Sequence, residues 1–184
     1  MASGSGKYYP ETSQGLVFTG STAAAGVAYP LGTAAGTAAT VALWNTSSTK
    51  NAVLMGLTVG YTSGTIAIGE IGIGVQYAGF AVGTAAPITA FTNGIVNNNL
   101  VGSGANSSMR FTGSTATLTA GTTNVFWLGS SMEIATAAPG VSTVNYDFDG
   151  GLIITPGSVG WVVGSVAQTG LFTLSLTWAE ISLT

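Results

Sequence analysis

The sequence predicts an all-β chain, folded as an antiparallel sandwich. Three observations carry that expectation. Apolar residues alternate with the two-residue period of a strand. Turn-forming residues separate the apolar runs at short intervals. No helical stripe runs through the chain. The 184 residues suit one domain, and a hydrophobic content of 46% can fill one sizeable core.

Taken in chain order, residues 1–13 have the composition of a disordered arm, and residues 14–184 form the single β-sandwich domain. The arm carries Lys7, Tyr8, Tyr9, Pro10 and Glu11. A Gly/Ser-rich terminus orders only when something holds it, so an ordered arm implies a partner. Residues 19–40 read as a Gly/Ala/Thr-rich insertion, with Val27, Tyr29 and Leu31 at alternate positions as a thin strand. Residues 39–44 form the next strand. Over residues 52–61, Val53, Met55, Leu57, Val59 and Tyr61 share a bulky face, while Ala52, Leu54, Gly56, Thr58 and Gly60 make a smaller one. Thr62-Ser63-Gly64 turns the chain into strands at 65–68 and 71–80. Residues 91–99, or 21–39, are the places for a short turn of helix. Strands follow at 115–119, 125–128, 141–148, 151–154 and 159–166. Their separators are Asp149-Gly150-Gly151 and Pro156-Gly157-Ser158, where Gly accepts positive φ and Pro presets the negative φ of a turn's first central residue. After Gln168-Thr169-Gly170 comes the clearest strand. Phe172, Leu174, Leu176 and Trp178 alternate with Thr173, Ser175 and Thr177, apolar inward and polar outward.

Composition excludes whole classes of function. Charged residues make up 5% of the chain, against about 25% in ordinary soluble domains. The three basic residues are Lys7, Lys50 and Arg110, and the six acidic ones are Glu11, Glu70, Glu133, Asp147, Asp149 and Glu180. Three cations cannot make a nucleic-acid footprint, so no nucleic-acid partner is expected. Absence of Cys and His removes disulfides, thiol nucleophiles, imidazole acid–base chemistry and zinc sites built on those ligands. The charge-free stretch 71–109 is broken by glycines, Pro87 and Asn97-Asn98-Asn99, so no spanning helix is expected. The first fifteen residues lack an apolar signal-peptide core, which leaves the sequons at Asn45 and Asn106 without an exported context.

Few constellations carry chemistry. Asp147 and Asp149 are the close carboxylate pair, and on one strand face they could act on a glycoside or bind calcium. The plainer alternative is the end of a hairpin, where Asp bonds its own backbone. The glycine runs at 69–74 and 102–104 open no helix and are followed by no P-loop lysine, so they cradle no phosphate. Without His, a serine would need Lys50 or Lys7 as its base, and no spacing supports that dyad. Trp44, Trp127, Trp161 and Trp178 sit in strand-like segments and read as core, the alternative being a sugar-stacking platform. Glu180 follows Trp178 as a rare charge, with Arg110, Lys50 or solvent as its counterpart. No cofactor or metal is expected.

The succession from Asp149-Gly150-Gly151 through Pro156-Gly157-Ser158 to the strand ending Trp178-Ala179-Glu180 resembles the closing strands of small jelly-roll proteins of tailed bacteriophage heads. The segment from Leu43-Trp44-Asn45 through Lys50-Asn51 to Tyr61 is similar to their early hairpin. The resemblance covers residues 40–80 and 145–182, and the insertion at 19–40 departs from it. It implies a jelly-roll-like sandwich with an extended N-terminal arm. It also implies a capsid decoration (cement) or head-fibre protein, assembled in the host cytoplasm and located on the virion surface. Its partners would be two further copies of itself, as a homotrimer, and the major capsid protein, with no membrane involved. On this reading the chain is not an enzyme, and Lys7, Tyr8, Tyr9 and Pro10 touch the shell. The rivals are a trimeric glycan- or receptor-binding knob using loops such as 91–99, and an enzyme built on Asp147 and Asp149. An ice-binding or amyloid-like protein is the most distant.

Overall fold

The computed structural model describes residues 7–28, 38–76, 88–118, 124–132 and 143–183. One helical turn, α1 (Tyr9–Ser13), precedes the strands. These are β1 (Val17–Ser21), β2 (Ala38–Ala39), β3 (Ala42–Trp44), β4 (Lys50–Ser63), β5 (Gly69–Gln76), β6 (Ile88–Phe91) and β7 (Val96–Asn98). They continue with β8 (Arg110–Thr112), β9 (Ala116–Leu118), β10 (Asn124–Met132), β11 (Thr143–Ile154), β12 (Val159–Gly164) and β13 (Leu171–Ser182). The expected all-β antiparallel sandwich is what forms. One sheet runs β11-β4-β13-β1-β7, the second β10-β5-β12-β3-β8, and a small third β2-β9-β6.

The pairing is nested. β1 joins β13, β3 joins β12, β4 joins β11 and β5 joins β10, all antiparallel. The early strands thus meet the late ones in reverse order, as a folded ribbon. Pairing of β4 with β13 and of β5 with β12 then closes the two large sheets.

Alternation on β13 places Phe172, Leu174, Leu176 and Trp178 in the core, as its sequence demands. Phe18 and Phe111 both stack with Trp178, their ring centroids 6.3 and 6.1 Å from it. Gly20 on β1 makes room for this, since a Cβ there would lie 2.4 Å from the Phe111 ring. β12 is buried at all six positions because the third sheet covers the outer side of its sheet. That double cover explains its near-continuous apolar run, Val-Gly-Trp-Val-Val-Gly.

Several expectations need correction. The bulky face assigned to 53–61 is split by a register shift: Thr177 pairs with Gly56 but Trp178 pairs with Leu54, leaving Met55 extra. Before the bulge Ala52 and Leu54 face the core; beyond it Leu57 and Val59 do. Met55 and Val53 instead join Val17 and Ala179 beneath Tyr8. Residues 65–68 form a loop, not a strand, with Ala67 bonded through both backbone groups to the Gln168 side chain. Residues 91–99 hold the end of β6 and all of β7 rather than a helical turn. The expected thin strand reduces to one bridge, Val27 to Phe172, while Tyr29 and Leu31 lie outside the described residues.

Asp147–Gly151 is not the end of a hairpin. Both flanking segments pair with β4, from Thr143↔Gly60 to Asp147↔Gly56 and again from Leu152↔Leu54. Four residues, 148–151, therefore oppose Met55 alone and bulge out of β11. Asp149 and Gly150 take φ of 53° and 73°, the left-handed region that lets the chain leave and re-enter the ladder.

Candidate functional site

The arm does not run out extended over its described part. Pro10 sits in the first turn of α1, where its missing N–H is no loss, and the Ser13 hydroxyl donates to the Pro10 carbonyl at 2.9 Å. Tyr8 covers the small apolar cluster of Val17, Met55 and Ala179 on the outer side of the first sheet. Its hydroxyl donates to Asp147 Oδ1, which also accepts the Asp149 N–H at 2.8 Å. The Lys7 ammonium lies 3.2 Å from Asp147 Oδ2, contacts Asp149, and sits over the Tyr8 ring at 5.0 Å. So the partner that orders this segment is the chain's own bulge. Of the four residues expected to touch a shell, Lys7 and Tyr8 anchor the segment, while Pro10 and Tyr9 face outward, Tyr9 at 59% exposure.

The electrostatics follow from these contacts. The Tyr8 hydroxyl holds the Asp147 carboxyl below its usual range, helped by the Asp149 N–H. Burial, reinforced by Asp147, pushes the Tyr8 phenol up, and Asp149 holds the Lys7 ammonium up. A lowered Asp147 is opposite to what a general acid requires. Beside Tyr8 lies a cleft of about 290 Å³, floored by Gly56 and walled by Thr58, Asn145, Asp147 and Thr177.

A second cluster closes the same end of the sandwich. Glu180 is buried, at 1% exposure, because it shares the inward parity of Trp178. Its carboxylate accepts the Ser107 hydroxyl at 2.6 Å, the Ser108 N–H at 2.8 Å and the Lys50 ammonium at 3.2 Å. Of the three counterparts considered for Glu180, the fold selects Lys50. That ammonium also donates to Ser108 Oγ at 3.1 Å, a Ser–Lys contact no spacing disclosed. Already paired with Glu180, it is an ion-pair donor rather than a base. Asn45, wholly buried, donates to the carbonyls of Lys50 and Ile154 and pins the start of β4.

Arg110 on β8 lies opposite Trp44 on β3. Its guanidinium packs over the rings of Trp44 and Phe91 at 5.1 and 4.9 Å. Trp161 and Trp178 are core, Trp44 is half-buried, and Trp127 is 42% exposed on β10 at the edge of its sheet. Among the described residues no group of three or more carboxylates could hold a metal ion, and no helix is long and apolar enough to cross a membrane.

The outer side of the first sheet is paved with small polar groups. Thr19 and Thr177 hydroxyls meet at 2.9 Å, Ser21 and Ser175 at 2.7 Å, and Thr19 donates to Asn99 Oδ1 at 2.9 Å. Over β1, β7 and β13 this surface carries no outward charged side chain and its hydroxyls are bonded to one another across the strands, while the charges of Lys7, Asp147 and Asp149 gather at its β11 edge.

Compared with known proteins, the chain matches no family model, no curated protein and no solved structure.

Proposed function

We propose that this chain is a structural virion protein: a trimeric capsid decoration (cement) protein that binds the outer face of a phage head and stabilises it by non-covalent contacts. The observation that carries the reading is the internal use of its few ionic groups. Lys50 is paired inside with Glu180, Lys7 closes the Asp147–Asp149 bulge, and Arg110 is stacked on two rings. What remains facing outward on the first sheet is a self-bonded hydroxyl surface. Such a surface loses little on desolvation, because each hydroxyl brings its partner with it. It therefore suits burial against protein better than it suits a solitary life in water. The nested pairing of early with late strands is the order a jelly-roll winding would give, and it supports the reading. In this scheme Tyr9 and Pro10 are the shell contacts, and Lys7 and Tyr8 hold them in position.

Native mass measurement of the purified chain tests the assembly, with three copies expected; a single-copy mass at about micromolar concentration overturns it. Occupancy on heads lacking the protein tests the contact. Tyr9→Ala, which touches none of the internal anchors, is expected to lower it, and undiminished occupancy removes Tyr9 from the shell interface.

A further inference from the structure

Arg110 differs from the other cations. Lys7 and Lys50 each meet a carboxylate, but among the described residues none meets Arg110. Its Nε donates to Asn93 Oδ1 at 2.9 Å and its Nη2 reaches the Phe91 carbonyl at 3.5 Å. A guanidinium carries five N–H donors, so three remain. The two aromatic rings and the Asn93 bond hold it in place before any ligand arrives.

Arg110 lines an open pocket of about 250 Å³ together with Asn93, Asn106, Ser107 and Val96. Asn93 has given its carbonyl oxygen to Arg110, which leaves its NH2 as a donor. Asn106 is exposed and bonds to no described residue, so it offers both a donor and an acceptor. Val96, half-buried, supplies an apolar patch. We infer that this pocket binds an acidic sugar residue, its carboxylate gripped by the Arg110 fork and its hydroxyls by Asn93 and Asn106. One guanidinium matches one negative charge, and a fork matches a planar carboxylate. A lone acidic side chain would leave both amides idle, whereas a hydroxylated ring uses them. The site stands independently of the assembly reading.

The test titrates the intact protein with D-galacturonate, with D-galactose and acetate as separate arms, following the side-chain N–H resonances of Arg110, Asn93 and Asn106. Galacturonate is expected to bind in about the millimolar range and at least about tenfold tighter than either galactose or acetate. Arg110→Lys, which keeps charge but loses the fork, should weaken it about tenfold. Asn106→Asp should do the same by placing a like charge in the pocket, at an exposed position where folding is unaffected. Acetate binding as tightly as galacturonate, full affinity in Asn106→Asp, or no shift up to about 50 mM each overturns the inference.

Discussion

The Lys50–Glu180 pair offers the sharpest quantitative test. The Glu180 side chain is wholly buried and that of Lys50 is 32% exposed. Lys50→Met leaves a buried carboxylate facing only the Ser107 hydroxyl and the Ser108 N–H. Loss of one partner of a buried pair costs about 3–5 kcal/mol, and the two surviving donors place this case near the lower figure. Glu180→Gln removes the charge and keeps an acceptor for Ser108, while the partly exposed Lys50 turns to water, so the cost is about 1–2 kcal/mol. The double variant has no uncompensated charge and should cost about 1–2 kcal/mol, less than Lys50→Met alone. The implied coupling is about 2–3 kcal/mol. Urea unfolding at one fixed protein concentration reads it, since a slope of about 2 kcal/mol per M turns 3 kcal/mol into a midpoint shift of about 1.5 M. If the single costs simply add in the double variant, the ion pair is not what holds β4, β13 and the segment around Ser107 together.

Three further outcomes are expected. Gly20→Ala should destabilise by about 1–3 kcal/mol because its Cβ would sit 2.4 Å from the Phe111 ring. Gly56→Ala, whose Cβ would meet only the Tyr146 carbonyl at 3.5 Å, should stay within about 0.5 kcal/mol, and thermal unfolding separates the two. Phe111→Ala should cost about 3–5 kcal/mol by opening the aromatic stack. Trp178→Phe should cost less, since it also removes a buried indole N–H that has no partner among the described residues, and denaturant midpoints rank the pair. Docking of residues 7–13 should depend on pH at both ends. Asp147 is lowered from 3.8, so its contribution is present above that value and fades as pH falls below it. Tyr8 is raised from 10.0 and Lys7 from 10.5, so theirs hold below those values and fade at higher pH. Amide chemical shifts of Tyr9 and residues 11–13 should therefore sit on a plateau from about pH 5 to 9, and shifts unchanged down to about pH 2 would sever Asp147 from the docking.

Strands whose signal is local were legible in the sequence. β13 announces itself because apolar and hydroxyl residues alternate without interruption, and β12 because it is apolar throughout. β1 was hidden: Thr19, Gly20 and Ser21 have little apolar character, and Gly20 is there for Phe111, a residue ninety-one positions away in a different sheet. Of the third sheet only β9 was legible, inside the strand expected at 115–119; β2 is two alanines, too short to show a period, and the four residues of β6 run into the span read as a helical turn. At Met55 the alternation itself misled, because the bulge is fixed by register with β13 and leaves no mark in residue type. Asp149-Gly150 declared a tight reversal correctly, but whether a reversal ends a strand or bulges within one depends on what lies opposite.

The charged contacts looked undecidable because their partners are far apart, Lys7 and Asp147 by 140 residues and Lys50 and Glu180 by 130. Yet one of them follows from register alone. Glu180 has the parity of Trp178, so if β13 is a half-buried strand the carboxylate points inward and must find a cation. Pairing β13 with β4 puts Glu180 opposite Ala52. The same-face neighbour one step along β4 is Lys50, a diagonal contact within reach of a long side chain. Arg110 yields to the same reasoning, since the β3–β8 register sets it directly across from Trp44. Knowing which strands lie side by side is thus nearly enough to assign two of the chain's three cations their partners, Lys7 alone lying on no strand.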